Sequence, residues 1–183
     1  MAHALVRAAS RLIGTYGAHP PGIDTSVCVT GALIPMSRLL IIGYGNPLRG
    51  DDGFGWQAAS QLLDRIADPE IEVMAVQQLT PELMDPISRA ARVIFIDAAT
   101  EGAPGILLKR SLSAEPTPGG FTHHSTPSGL LSGALTLYGR APEATLYSVP
   151  GEDFAFGEHL TPAVEKALTE LVARICCFSH EKA

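Results

Sequence analysis

Cysteine is scarce in this chain. The three present are Cys28, Cys176 and Cys177, two of them adjacent, and no C-x-x-C spacing offers a structural zinc site. A reducing cytosol is the compartment that fits such usage. Basic residues are also few: 13 Lys and Arg stand against 19 Asp and Glu, giving a formal net charge of -6, and no Lys/Arg cluster occurs. Affinity for phosphate backbones comes chiefly from such clusters, so a nucleic-acid partner is not expected. There is no run of about 18 uninterrupted apolar residues, which argues against membrane insertion, and no internal repeat.

What is present is ordinary for a globular protein. The chain has 183 residues, 46% of them hydrophobic and 17% charged, enough for one domain that buries most of its apolar surface. Residues 1–35 stand apart. No acidic residue occurs between Met1 and Ile23, and Pro20, Pro21 and Gly22 interrupt any regular element. Three readings stay open: a targeting segment, a docked or disordered N-terminal extension, or upstream sequence counted in by a misassigned start. Met36 stands directly before the first convincing strand, so the folded domain is expected to span 36–183.

Short apolar runs at 39–43, 71–76, 93–96 and 144–149 read as strands covered on both faces, with a further strand at 106–109. Helical spacing of apolar residues marks 55–66, 125–139 and 161–175, and Thr80-Pro81-Glu82 opens a short helix. Residues 113–122, with Pro116, Pro118, Gly119 and Gly120, must be irregular. The alternation predicts an α/β fold: a doubly wound, mostly parallel twisted sheet with helices on both faces, in three α/β/α layers.

In open α/β sheets functional groups collect beyond the carboxyl ends of the strands. That rule selects Asp51 and Asp52 after the first strand, Asp97 at the end of the third, and His123 and His124 in the loop before a helix. A lone carboxylate after four apolar residues is costly to bury without partners. Each candidate also has a plainer reading: Asp97 as the cap of a turn, the histidines as loop residues.

The run Gly43-Tyr44-Gly45-Asn46-Pro47-Leu48-Arg49-Gly50-Asp51-Asp52-Gly53 invites a dinucleotide-binding reading, and two features oppose it. The third glycine of G-x-G-x-x-G would fall at Leu48, and Gln77 and Gln78 stand where a ribose-binding acid is wanted. Pyrophosphate would also be repelled by adjacent carboxylates. A metal ion or a peptide amide suits the loop better.

Together, Gly43-Tyr44-Gly45-Asn46 with Asp51-Asp52-Gly53-x-Gly55, Asp97, the His123 loop, and the segment from Gly151-Glu152 to Leu160-Thr161-Pro162 resemble the hydrogenase maturation proteases. The resemblance covers roughly residues 38–175. It implies an aspartic-type or metal-dependent endopeptidase, cytoplasmic and monomeric. Such an enzyme removes the C-terminal peptide of a nickel-iron hydrogenase large-subunit precursor after nickel insertion. By motif position it places the metal contacts and catalytic residues on Asp52, Asp97 and His123, with His124 as the rival imidazole. The nickel would come with the precursor rather than be held permanently by the enzyme.

Two readings from other classes stay open: a non-proteolytic, nickel-recognising assembly chaperone, and a nucleotide-binding oxidoreductase. Among the remaining polar residues, Arg49 either steers an acidic peptide or solvates its loop, and Asn46 either meets the substrate backbone or satisfies its own turn. Glu152, Asp153, Glu158 and His159 form an expected substrate rim. Cys176 and Cys177 are expected to be buried with the stripe of the last helix.

Overall fold

The computed structural model describes residues 37–114 and 126–180, all within the second of the two units into which the chain divides, Leu33–Ala183. The extension 1–35 lies outside the described residues, as do Cys28, His123 and His124. The described strands are β1 (Ser37–Tyr44), β2 (Ile71–Val76), β3 (Ala90–Ala99), β4 (Leu108–Leu112) and β5 (Glu143–Pro150). They alternate with helices α1 (Phe54–Arg65), α2 (Met84–Arg89), α3 (Pro127–Tyr138) and α4 (Pro162–His180).

The strand order is β2-β1-β3-β5-β4. The first four run parallel, and β4 returns antiparallel along the β5 edge. Alternating side chains then build two cores. Ile41, Ile96, Tyr147 and Val149 pack with Phe54, Ala58 and Leu62 of α1 and with Val164, Leu168, Leu171 and Val172 of α4. On the other face Leu40, Ile42, Val93, Phe95 and Leu146 pack with Met84 and Ile87 of α2 and with Leu130, Leu131 and Ala134 of α3. The three-layer α/β/α architecture read from the sequence is thus the observed one.

Three local expectations need correction. β3 extends three residues beyond its apolar run because β5 pairs with it as far as Ala99↔Pro150, so Asp97 lies within a strand, opposite Ser148. The strand expected at 106–109 forms at Leu108–Leu112, where it meets β5 in the register Leu108↔Ser148 to Leu112↔Ala144. The helix after Thr80 is a 3-10 turn, Pro81–Leu83, that passes into α2, and the Thr80 side chain does not cap it.

The start of α1 lies hard against β1 and β3. A Cβ on Gly43 would stand 2.0 Å from the Gly55 carbonyl oxygen, and one on Gly55 would stand 2.2 Å from that of Ile96 and 2.3 Å from that of Tyr44. These neighbours are backbone atoms and cannot turn aside. Gly55→Ala is therefore expected to cost about 3 kcal/mol through overpacking, read as a lower thermal midpoint with the same far-ultraviolet circular dichroism. An unchanged midpoint would mean that α1 is free to shift.

The last helix also departs from expectation. Ile175 is buried, whereas Cys177 is exposed and Cys176 is partly buried. Two residues past Ile175 is about 200° around a helix, which turns Cys177 away from the packed stripe.

Candidate active site at the switch point

The chain turns one way from β1 to β2 and the other way to β3, so the carboxyl ends of β1 and β3 mark the topological switch point, where open α/β sheets form their ligand crevices. Tyr44 ends β1 there, and the loop that follows folds back as a 3-10 turn, Gly50–Gly53, before α1. Gly45 adopts φ +133, and a Cβ on it would stand 1.9 Å from the Asp52 carbonyl oxygen. Only glycine lets the loop close this tightly. The Asn46 side chain serves its own turn, accepting from the Leu48 N–H at 3.0 Å. The glycines are thus spent on close backbone approach within the loop.

The adjacent acids Asp51 and Asp52 have opposite surroundings. Asp51 is fully buried. Its carboxylate accepts from the Glu152 N–H at 2.7 Å, the Asp153 N–H at 3.1 Å, the Thr161 N–H at 2.7 Å and the Thr161 hydroxyl at 2.9 Å. Burial alone would raise its pKa, but these donors outweigh burial and hold the carboxyl below the usual range. The two loops are also joined through their backbones: Gly50 N–H donates to the Gly157 carbonyl and Gly157 N–H to that of Leu48. The segment expected as a substrate rim therefore first serves as a latch on the Asp51 loop. Thr161, read as a helix-start residue, turns its hydroxyl to Asp51.

Asp52 is half-buried and accepts the Asn46 N–H at 2.9 Å. Asp97, also half-buried, bonds with the Tyr44 hydroxyl and the Ala98 N–H. Burial pushes the Asp97 carboxyl up to about 6; the Tyr44 and Ala98 hydrogen bonds oppose the rise, and the negative charge of Asp52 adds to it. The same burial, with Asp97 beside it, drives the Tyr44 hydroxyl far above its ordinary value. The two acids, 45 positions apart in the chain, are thus close enough to feel each other's charge. Tyr44 is the functional neighbour that sequence reasoning missed. Register could have found it, since Gly43↔Ile96 sets Tyr44 beside Asp97 on one face.

A cavity of about 370 Å³ opens beside this pair, lined by Tyr44, Asp97, Arg110, Leu112, Thr126 and Leu146, among others. Thr126 caps α3, accepting from Gly129 N–H at 3.0 Å, and follows directly on the segment that carries His123 and His124. Among the described residues no group of three His, Cys, Asp or Glu side chains is arranged to hold a metal ion. No helix among them is long and apolar enough to cross a membrane.

No family model and no curated protein matches the chain. Solved structures do. The hydrogenase maturating endopeptidase HybD from E. coli is 26% identical, with a TM-score of 0.64 over 80% of this chain and 94% of its own. A hydrogenase 2 maturation peptidase from Thaumarchaeota archaeon SCGC_AB-539-E09 is 27% identical, with a TM-score of 0.58 over 76% and 96%. The [NiFe] hydrogenase maturation protease HycI from Thermococcus kodakarensis KOD1 shares the fold, with 21% identity and a TM-score of 0.64 over 78% and 92%. The resemblance read from the sequence motifs is therefore also one of structure.

Proposed function

We propose that this chain is an endopeptidase that removes the C-terminal peptide of a nickel-iron hydrogenase large-subunit precursor after nickel insertion. The observation that carries this reading is the meeting of Asp52 and Asp97 at the sheet's switch point, where Asp97 also lines a cavity. The likeness to named maturation proteases supports the reaction class. The metal centre arrives as part of the substrate. Asp52, Asp97 and His123 are its contacts on the enzyme, two carboxylates and an imidazole being suitable donors to a divalent first-row metal. Docking on them places the scissile bond beside the acids, where water attacks the carbonyl.

The test is incubation with nickel-loaded and nickel-free precursor, followed by intact mass. The wild type is expected to shorten only the loaded form. Asp52→Ala, Asp97→Ala and His123→Ala are each expected to slow that step by about 10²-fold or more, and His124→Ala to leave it near the wild-type rate. A loaded precursor that binds but keeps its mass would instead favour the chaperone reading. Processing at the normal rate by all three variants would remove these residues from the site.

A further inference from the structure

Arg110 has no place in the chemistry above, and its position calls for one. Sheet register sets the row Val76, Tyr44, Asp97, Ser148, Leu108 across one face, with Ile42, Phe95, Leu146 and Arg110 in the row beneath. Rows on one face are about 7 Å apart, and β4 lies two strands, about 10 Å, from β3. The Arg110 side chain spans part of that gap: it lines the cavity with Asp97 and Tyr44, and its positive charge reaches the Tyr44 hydroxyl. Among the described residues it makes no ion pair. Around it the wall is apolar at Leu79, Leu112 and Leu146, and the Thr126 hydroxyl, already accepting from Gly129 N–H, keeps its proton to donate.

A plainer role for Arg110 is to blunt the exposed edge strand, since charge on an edge discourages pairing with other chains. Its neighbour Lys109 shows what that role looks like: it points to the opposite face and lies over the Tyr147 ring, 5.8 Å from the centroid. Arg110 instead faces a concavity at the lower end of the size range of ligand sites, about 300–1,000 Å³. A guanidinium donates only, and its planar fork matches a carboxylate. In a chain of net charge -6, with the Asp97 carboxyl in the same cavity and the Asp52 charge acting on it, an acidic segment would be turned away without such a cation.

We propose that Arg110, in the cavity between β1, β3, β4 and the start of α3, anchors a carboxylate of the bound polypeptide, and so selects substrates carrying an acid beside an apolar residue. The offset from Asp97 assigns this carboxylate to a residue flanking the scissile bond rather than to the reacting carbonyl. The inference rests on the protease reading only for which chain supplies the acid.

The full chain is titrated with acetyl-Leu-Glu-amide, acetyl-Leu-Leu with a free carboxylate, and neutral acetyl-Leu-Gln-amide, following the Arg110 Nε–H signal by NMR. At least one acidic peptide is expected to move that signal and bind about tenfold or more tighter than the neutral one, as a charged hydrogen bond requires. Which of the two does so separates a side-chain from a terminal carboxylate. Arg110→Ala and Arg110→Glu are expected to abolish the preference and Arg110→Lys to retain part of it. Lys109→Ala, which removes the same charge from the other face, is expected to keep it whole. In precursor processing, Arg110→Ala is expected to raise KM about tenfold and to change kcat far less. Equal binding of acidic and neutral peptides, or an Arg110→Ala protein that behaves as wild type, would overturn the proposal even where the wild type processes precursor. A wild type that cleaves no precursor yet shows the acidic preference would retire the protease reading and leave the carboxylate site standing.

Discussion

Asp97→Asn is expected to yield a protein that is more stable than the wild type at neutral pH and that no longer processes precursor. The Asp97 carboxyl titrates at about 6, up from 3.8, with burial the largest cause and the Asp52 charge adding to it. A group whose folded pKa is raised adds stability that is complete below the unfolded value and is lost as pH rises through the folded one. Above pH 6.5 the ionised wild type has therefore forfeited about 2 kcal/mol, less than the full 1.36 kcal/mol per unit because solvent reaches this half-buried carboxyl and screens it. An amide cannot ionise, and its carbonyl oxygen can still accept from the Tyr44 hydroxyl. The variant's melting temperature should exceed the wild type's by about 4–8 °C at pH 7.5, and the gap should close as pH falls from 6 toward 4. Activity moves the other way: an asparagine neither takes a proton nor contacts the substrate's metal as an anion, and a loss of about 10²–10⁴-fold is expected. Thermal melts across pH 4–8 decide the matter. A variant that melts below the wild type at pH 7.5, or a gap indifferent to pH, would mean that Asp97 bears no burial penalty.

The strand and helix order was legible because parallel strands buried on both faces leave uninterrupted apolar runs, and helices leave their own spacing. Asp97 was visible for the same reason, as a charge at the end of such a run. Tyr44 and Arg110 were not. Their place depends on which residue faces which across β1, β3, β5 and β4, and register is a property of pairing between strands far apart in the chain. The antiparallel return of β4, which brings Arg110 to the cavity, leaves no mark in composition. The motif Asp51-Asp52 announced two acids in a loop but could not say that they diverge, because the donors that bury and hold Asp51 lie about a hundred positions further on. His123 and His124 rest on sequence resemblance, since the described residues stop short of them.

That divergence predicts opposite outcomes for neighbouring substitutions. Asp51→Ala leaves the N–H groups of Glu152, Asp153 and Thr161 and the Thr161 hydroxyl without their acceptor, in a place that is fully buried. Each orphaned buried donor costs about 1–3 kcal/mol where water does not replace the lost partner. Allowing for partial relaxation, a total of about 4 kcal/mol is expected, a large share of a native stability of about 5–15 kcal/mol. Asp51→Asn should fare little better, because its amide NH₂ would meet donors where the carboxylate met them as an acceptor. Asp52→Ala removes one acceptor, for the Asn46 N–H on a half-buried loop, and should cost about 1 kcal/mol while abolishing processing. The sign of the acid dependence follows from the lowered Asp51 pKa: its stabilisation is present above the unfolded value of about 3.8 and is lost as pH falls through the folded one. Urea unfolding between pH 3 and 7 should thus show a shallower acid limb in Asp51→Ala than in Asp52→Ala. Equal unfolding midpoints for the two variants at pH 7 would mean that the latch between the two loops is held by their backbones alone.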